Sequence, residues 1–277
     1  MSDLLTVEDL RVRFPSRNGP VEVVRGVTFA LGRERLGIVG ESGSGKSQTG
    51  RAILGLTPPP GQAEAKRLEF DGIDLRNADK ATWRRLRGAR ISMVMQDPKF
   101  SLNPVMTIGK QLVECWNLHA GTSRAEAKDR AIAMLEAVQI RDPKRVFGAY
   151  PHELSGGMGQ RAMIAMMLIT EPDMLIADEP TSALDVTVQI EVLRILDRLV
   201  SERGMGLILI SHDLRLVSSF CDRVLVMYAG KVVEELKASE LLNAQHPYTR
   251  GLYNCLPKID GSARPLPTLQ REESWAE

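Results

Sequence analysis

Leu10, Val12 and Phe14 alternate with Arg11 and Arg13, and Val27, Phe29 and Leu31 alternate ahead of a Gly32-Arg33 turn. A period of two sends successive side chains to opposite faces, so both stretches predict strands with one buried face. Farther along, alternation gives way to short unbroken apolar runs: RLGIV at 35–39, ISMVM at 91–95, MLIA at 174–177, LILI at 207–210 and VLVMY at 224–228. Strands covered on both faces read this way. Helical patterns at 47–56, 187–203 and 213–220 lie between the runs. Strand and helix therefore alternate as in a largely parallel α/β sheet, behind an N-terminal region of half-buried strands.

Residues 97–154 interrupt this alternation without an apolar strand-like run. Ser123-Arg-Ala-Glu126 is a capping box, and Ala127, Ala131, Leu135 and Val138 follow on one helical face. The segment reads as a helical lobe inserted into the core. After Val233 the chain turns polar, with a weak helix near 238–244 and a tail spaced by Pro247, Pro257, Pro265 and Pro267. Poor order is expected in the last ten to twenty residues. The division that follows is an α/β core at 1–96 and 169–235, a helical subdomain at 97–168 and a C-terminal extension at 236–277.

With 277 residues, 43% hydrophobic and 26% charged, the composition is that of a chain with a core, not a disordered, fibrous or membrane-spanning one. Thirty-six Lys+Arg against thirty-five Asp+Glu leave a net charge of +1, so no global field draws it onto nucleic acid or an anionic membrane. Apolar runs such as Met163–Ile169 fall far short of the ~20 residues that span a bilayer, and MSDLLTVEDL lacks the basic and apolar regions of a secretory signal. Cys115, Cys221 and Cys255 stand singly, which gives zinc, iron–sulfur or disulfide frameworks no support and suits the reduced thiols of a cytosolic chain.

Gly40-Glu41-Ser42-Gly43-Ser44-Gly45-Lys46-Ser47 fits GxxxxGK[ST], directly after an apolar strand and before a helix, and Gln48 closes the stretch assigned to nucleotide. Glycines let backbone N–H groups curl around phosphate oxygens, the helix N-terminus adds its dipole, Lys46 meets the β/γ charge, and Ser47 can ligate Mg²⁺. Met174-Leu-Ile-Ala-Asp178-Glu179 is a buried strand ending in two acids. Alone, such a pair is a solvated strand end. Beside a phosphate loop, Asp178 becomes the metal-side acid and Glu179 the base that orients water at the γ-phosphate. Leu154-Ser155-Gly156-Gly157-Met158 opens an apolar helix, with Ser155 as N-cap and two glycines leaving N–H groups bare for an anion.

Gln96 follows a strand, Ser182-Ala183-Leu184-Asp185 follows the acids, and His212 follows LILIS. Taken in order over about residues 4–235, these motifs resemble the nucleotide-binding subunit of an ATP-binding cassette (ABC) transporter. The resemblance implies a P-loop NTPase (RecA-like) α/β core with an N-terminal antiparallel β subdomain and an inserted helical subdomain. It also implies two cassettes that sandwich two ATP molecules, each between the phosphate loop of one and the LSGG segment of the other. On that likeness Phe14 stacks on adenine, Gln96 senses Mg²⁺ and the attacking water, Asp185 and Ser155, Gly156 and Gly157 belong to the nucleotide interface, and His212 contacts the γ-phosphate. Phe14 is equally well placed to be an edge-strand core residue.

Residues 96–109, QDPKFSLNPVMTIG, are similar to a stretch of the oligopeptide, dipeptide and nickel importer ATPases, and His246-Pro247-Tyr248-Thr249-Arg250 looks like their HPYT element. The likeness implies a peripheral ATPase on the cytoplasmic face of the inner membrane, with ATP and Mg²⁺ as ligands. Its partners would be two transmembrane permease subunits, a second cassette and, indirectly, an extracytoplasmic solute-binding protein. Family precedent favours a heterologous second cassette, a homodimer remaining open. Peptides lead nickel and opines as the solute. Two positions depart from the pattern: Gly159 stands where relatives often carry a basic residue, and Cys255 has no neighbouring cysteines, so no iron–sulfur site carries over. Two other readings stay open from sequence, a non-transport ABC ATPase acting on nucleic acid or the ribosome and a silent cassette completing a partner's site.

Overall fold

The computed structural model describes residues 3–95, 101–181, 185–255 and 275. Two compact units emerge, one from residues 1–78 with 208–277 and the other from residues 79–207.

The first unit opens with the two alternating strands, β1 (Leu5–Phe14) and β2 (Val21–Leu31), paired antiparallel with Leu5 opposite Leu31 and Val12 opposite Val24. Leu5, Val7, Leu10 and Val12 are buried, as are Val27, Phe29 and Leu31, which is the face the period of two assigned to the core. Three short strands, β4 (Gln62–Glu64), β5 (Arg67–Phe70) and β6 (Ile73–Asp74), extend this sheet; β4 and β5 each pair with β1, and β6 pairs with β5. They carry too few apolar residues to show a period. The run at 35–39 is β3 (Arg35–Val39), and β10 (Arg223–Tyr228) runs parallel to it with Val224 opposite Gly37. β11 (Lys231–Lys237) pairs antiparallel with β10. Its Glu234 and Glu235 mask it as loop in the sequence. Helix α1 (Lys46–Ile53) follows β3 through the phosphate loop and stops three residues before the pattern predicted.

The second unit contains α2 (Lys80–Leu86), β7 (Ile91–Val94), α3 (Ile108–Ala120), α4 (Arg124–Ala137), α5 (Pro143–Gly148), α6 (Gly156–Leu168), β8 (Met174–Asp178) and α7 (Val186–Arg203). β7 and β8 are parallel neighbours, with Val94 opposite Ala177. The N-cap half of the capping box forms, with Ser123 accepting from the Glu126 N–H, and Ala127, Ala131, Leu135 and Val138 are all buried. Arg90 ties the start of β8 in place. Its carbonyl accepts the Asp173 N–H at 2.9 Å, and its guanidinium meets the Asp173 carboxylate at 2.7 Å.

Strand β9 (Gly206–Ser211) carries the chain from the second unit back to the first. It leads into α8 (Leu214–Phe220), whose Val217 lies so near β3 that a Cβ on Gly37 would stand 2.2 Å from a Val217 methyl. The weak helix near 238–244 is a 3-10 helix over Ala238–Asn243, and beyond it stands α9 (Pro247–Asn254). Apart from Trp275, the tail expected to lack order lies outside the described residues.

Candidate nucleotide-binding site

In the first unit the phosphate loop is built from backbone that L-residues avoid. Gly40, Gly43 and Gly45 have φ of 151°, 83° and 97°. At two of them space is also closed: a Cβ on Gly40 would lie 2.2 Å from the Met227 carbonyl oxygen, and one on Gly45 would lie 2.5 Å from that of Val23. Gly45 is the N-cap of α1, and its carbonyl accepts the Thr49 N–H at 2.9 Å. The loop is braced on its flank by Gly230, whose N–H donates to the Ser44 carbonyl at 3.1 Å.

Lys46 is buried, and its ammonium donates to the carbonyls of Gly40 at 2.8 Å and Glu41 at 2.7 Å. It thus lies folded over the loop it belongs to. Ser42 and Gly43 are exposed, Glu41 and Ser47 half-buried, and the Gln48 side-chain oxygen is buried with no hydrogen-bond partner among the described residues. Tight glycines, a cation over the loop and an unanswered polar atom suit a polyphosphate with its divalent cation. Phe14 is half-buried at the end of β1, its ring so close to Gly61 that a Cβ there would meet it at 2.5 Å. His212 is exposed where β9 ends, one residue before Asp213, which caps α8 by accepting from Arg215 and Leu216.

In the second unit Asp178 closes β8 and is buried, while Glu179 is half-buried with φ of 46°. A left-handed glutamate is an uncommon backbone state that the surrounding structure must hold. Ser155 caps α6 through the Met158 N–H, and Gly156 and Gly157 form its first turn. Gly157 packs against α7: a Cβ there would come within 2.7 Å of a Val188 methyl. Asp185 caps α7, one carboxylate oxygen accepting from both Thr187 and Val188 at 3.1 Å. Beside these residues opens a cavity of about 600 Å³ lined by Ser155, Gly157, Arg161, Val188 and Glu191 among others. Gln96 and Ser182–Leu184 lie outside the described residues.

Three structural supports escape a reading of motifs alone. Gly230 braces the loop by its N–H, and Gln160 donates its buried side-chain amide to the Pro180 carbonyl beyond the acids. Tyr248 receives the Glu41 N–H at 3.1 Å. A signal existed for the last, since it sits in the HPYT stretch, but its partner lies 207 residues away.

Residues 24–182 match the profile of the family described as ABC transporter. The chain belongs to the ABC transporter family. The oligopeptide transport ATP-binding protein OppD of Haemophilus influenzae is 45% identical over 97% of this chain and 84% of its own length. The dipeptide transport ATP-binding protein DppD of the same organism is 44% identical over 96% of this chain and 82% of its own. Among solved structures, the ATP-binding cassette MJ0796, captured as a dimer in a post-hydrolysis state with ADP and Pi, superposes with a TM-score of 0.75 at 26% identity, covering 84% of this chain and 98% of that one. The fold is accordingly that of an ABC ATPase cassette, an α/β P-loop architecture with an antiparallel β sheet. Among the described residues no helix is long and apolar enough to cross a membrane.

Proposed function

We propose that this chain is the ATP-hydrolysing subunit of an ABC importer and energises uptake of di- or oligopeptides. The observation that carries the reading is the loop at 40–47, where glycines with positive φ bend the backbone beneath the Lys46 ammonium at the start of α1. Similarity to OppD and DppD supplies the importer and its solute class.

In this reading the N–H groups from Gly43 to Gln48 bind the β- and γ-phosphates, and Lys46 exchanges the Gly40 and Glu41 carbonyls for phosphate oxygens. Ser47, Asp178 and Gln96 would hold Mg²⁺, which would offset phosphate negative charge. Glu179 accepts the proton of the attacking water, His212 steadies the γ-phosphate, and Phe14 packs on the base. Ser155, Gly156 and Gly157 offer the start of α6 to the nucleotide of a second cassette, with Asp185 at the same interface. An α/β core at 1–96 and 169–235, a helical subdomain at 97–168 and an extension at 236–277 divide the work. Two permease subunits grip the helical parts of the paired cassettes and place the chain at the cytoplasmic face of the inner membrane, and a solute-binding protein delivers peptide from outside. The second cassette is a related, different chain or, alternatively, a second copy of this one.

Two measurements test this. Purified chain, alone and with its partner cassette, should release phosphate from ATP with Mg²⁺ and stop when EDTA removes it; no release in either setting defeats the enzymatic reading. Affinity isolation from gently solubilised membranes should recover two multi-spanning proteins and a second cassette. Recovery of ribosomes or nucleic acid without a membrane subunit defeats the transport reading.

A further inference from the structure

Tyr248 is the second residue of α9 and is fully buried. Such a ring is an expensive group to place beside a loop unless its hydroxyl is used, because a buried hydroxyl without a partner loses the hydrogen bonds it made to water. Its oxygen accepts the Glu41 N–H at 3.1 Å. Glu41 is the first residue of the loop after Gly40, and its carbonyl is the one that takes Lys46 at 2.7 Å. Both polar groups of one residue are therefore held, the N–H by α9 and the carbonyl by the lysine and the Ser44 N–H.

Packing fixes where the hydroxyl points. The Tyr248 ring packs in a three-ring cluster with Tyr228, centroids 4.5 Å apart, and Trp275, at 5.8 Å, and those two rings also touch at 5.9 Å. His246 caps α9 by accepting the Tyr248 N–H on Nδ1 at 3.2 Å. Tyr228 ends β10, two residues before Gly230, whose N–H braces Ser44. The cluster thus supports the loop at its entry through Tyr248, and the strand that ends in Tyr228 leads to the Gly230 brace at Ser44.

We propose that Tyr248 is a positioning residue for nucleotide binding: its hydroxyl oxygen keeps the Glu41 peptide in place when Lys46 leaves the loop carbonyls for a phosphate. Without nucleotide, Lys46 and Tyr248 hold the entry together. With nucleotide, Tyr248 keeps its hold on the Glu41 N–H, while the Glu41 carbonyl retains the Ser44 N–H at 3.2 Å. This rests on the ATP-binding reading above and assigns the C-terminal extension a part in it.

The test compares Tyr248→Phe with Thr249→Val in the full chain, titrating MgADP and MgATP calorimetrically and recording thermal melts without nucleotide. Thr249 is the matched control, since its hydroxyl is buried on the same helix with no hydrogen-bond partner among the described residues. Tyr248→Phe keeps the ring and removes the acceptor of the Glu41 N–H, so the nucleotide Kd should rise about 3- to 10-fold. In steady state KM should rise by a similar factor while kcat stays within twofold. Thr249→Val should leave Kd within twofold of wild type. Amide exchange in the wild-type chain gives a readout that needs no variant: the Glu41 amide should be protected, and Tyr248→Phe should expose it. Equal nucleotide affinity in wild type and Tyr248→Phe, or an unprotected Glu41 amide in the wild type, overturns the inference while ATP binding stands. A wild-type chain that binds no nucleotide overturns both.

Discussion

Gln160, buried on α6, donates its side-chain amide to the carbonyl of Pro180, two residues beyond the end of β8. The helix that opens with Ser155-Gly156-Gly157 and the turn that leaves Asp178 and Glu179 are thereby joined within one unit of one chain. Gln160→Leu keeps the volume and strands the Pro180 carbonyl, which should cost about 1–3 kcal/mol. Urea unfolding reads that loss; an unchanged midpoint would show that the bond contributes nothing.

Glu179→Gln keeps the side chain's shape and the same left-handed backbone, φ 46°. Melting should therefore hold within a degree or two while turnover falls about 10²–10⁴-fold, the range for loss of a general base. ATP binding should persist. A phosphate-release assay giving turnover within twofold of wild type would remove Glu179 from the role of base.

Gly45→Ala meets two obstacles, the φ of 97° and the Val23 carbonyl 2.5 Å from the new methyl. Strain of about 1–3 kcal/mol is expected from the backbone alone, with loss of measurable MgATP binding as the loop shifts. At Gly43 nothing lies within 4 Å of the built Cβ, so Gly43→Ala should be the milder of the two in the same titration.

Gly159 sits inside α6, and a Cβ there meets nothing within 4 Å. Gly159→Ala should add stability of about 1 kcal/mol by helix propensity, visible as a higher urea midpoint, with ATPase activity retained. A lower midpoint would mean that the site demands glycine for packing.

Cys221 follows α8, and burial, with a smaller push from Asp222, raises its thiol from the ordinary 9.0 to about 12. The folded state keeps its proton where the unfolded chain gives it up. Stability from this group is complete below about 9 and is lost as pH climbs from about 9 toward 12. Native chain at pH 8 should leave Cys221 unlabelled by iodoacetamide, denaturant should release it, and Cys221→Ala should flatten the alkaline part of the stability profile. Rapid native labelling would contradict the burial.

Legibility followed physics. β1, β2, β3, β8 and β10 showed themselves because apolar residues recur at a strand's period or run unbroken where both faces are covered. Ser123 and Ser155 are N-caps whose side chains reach amides three residues on, within the span a motif can display, whereas the capping role of Asp185 emerged only in the structure. β4 to β6 and β11 stayed hidden, since short or edge strands with exposed faces need few apolar residues. Contacts such as Gln160 with Pro180 or Glu41 with Tyr248 join residues far apart along the chain, and nothing in either local sequence names the other.

The parallel pairing of β3 with β10 sets a schedule for synthesis. Residues 35–39 leave the ribosome early, yet the strand beside them, at 223–226, and the Gly230 brace arrive only when most of the chain has been made. Until then the phosphate loop has its glycines and the Val23 carbonyl beside Gly45, but neither the Met227 carbonyl beside Gly40 nor the Gly230 brace. A truncated nascent chain ending before residue 223 should therefore carry the whole motif and hold no nucleotide.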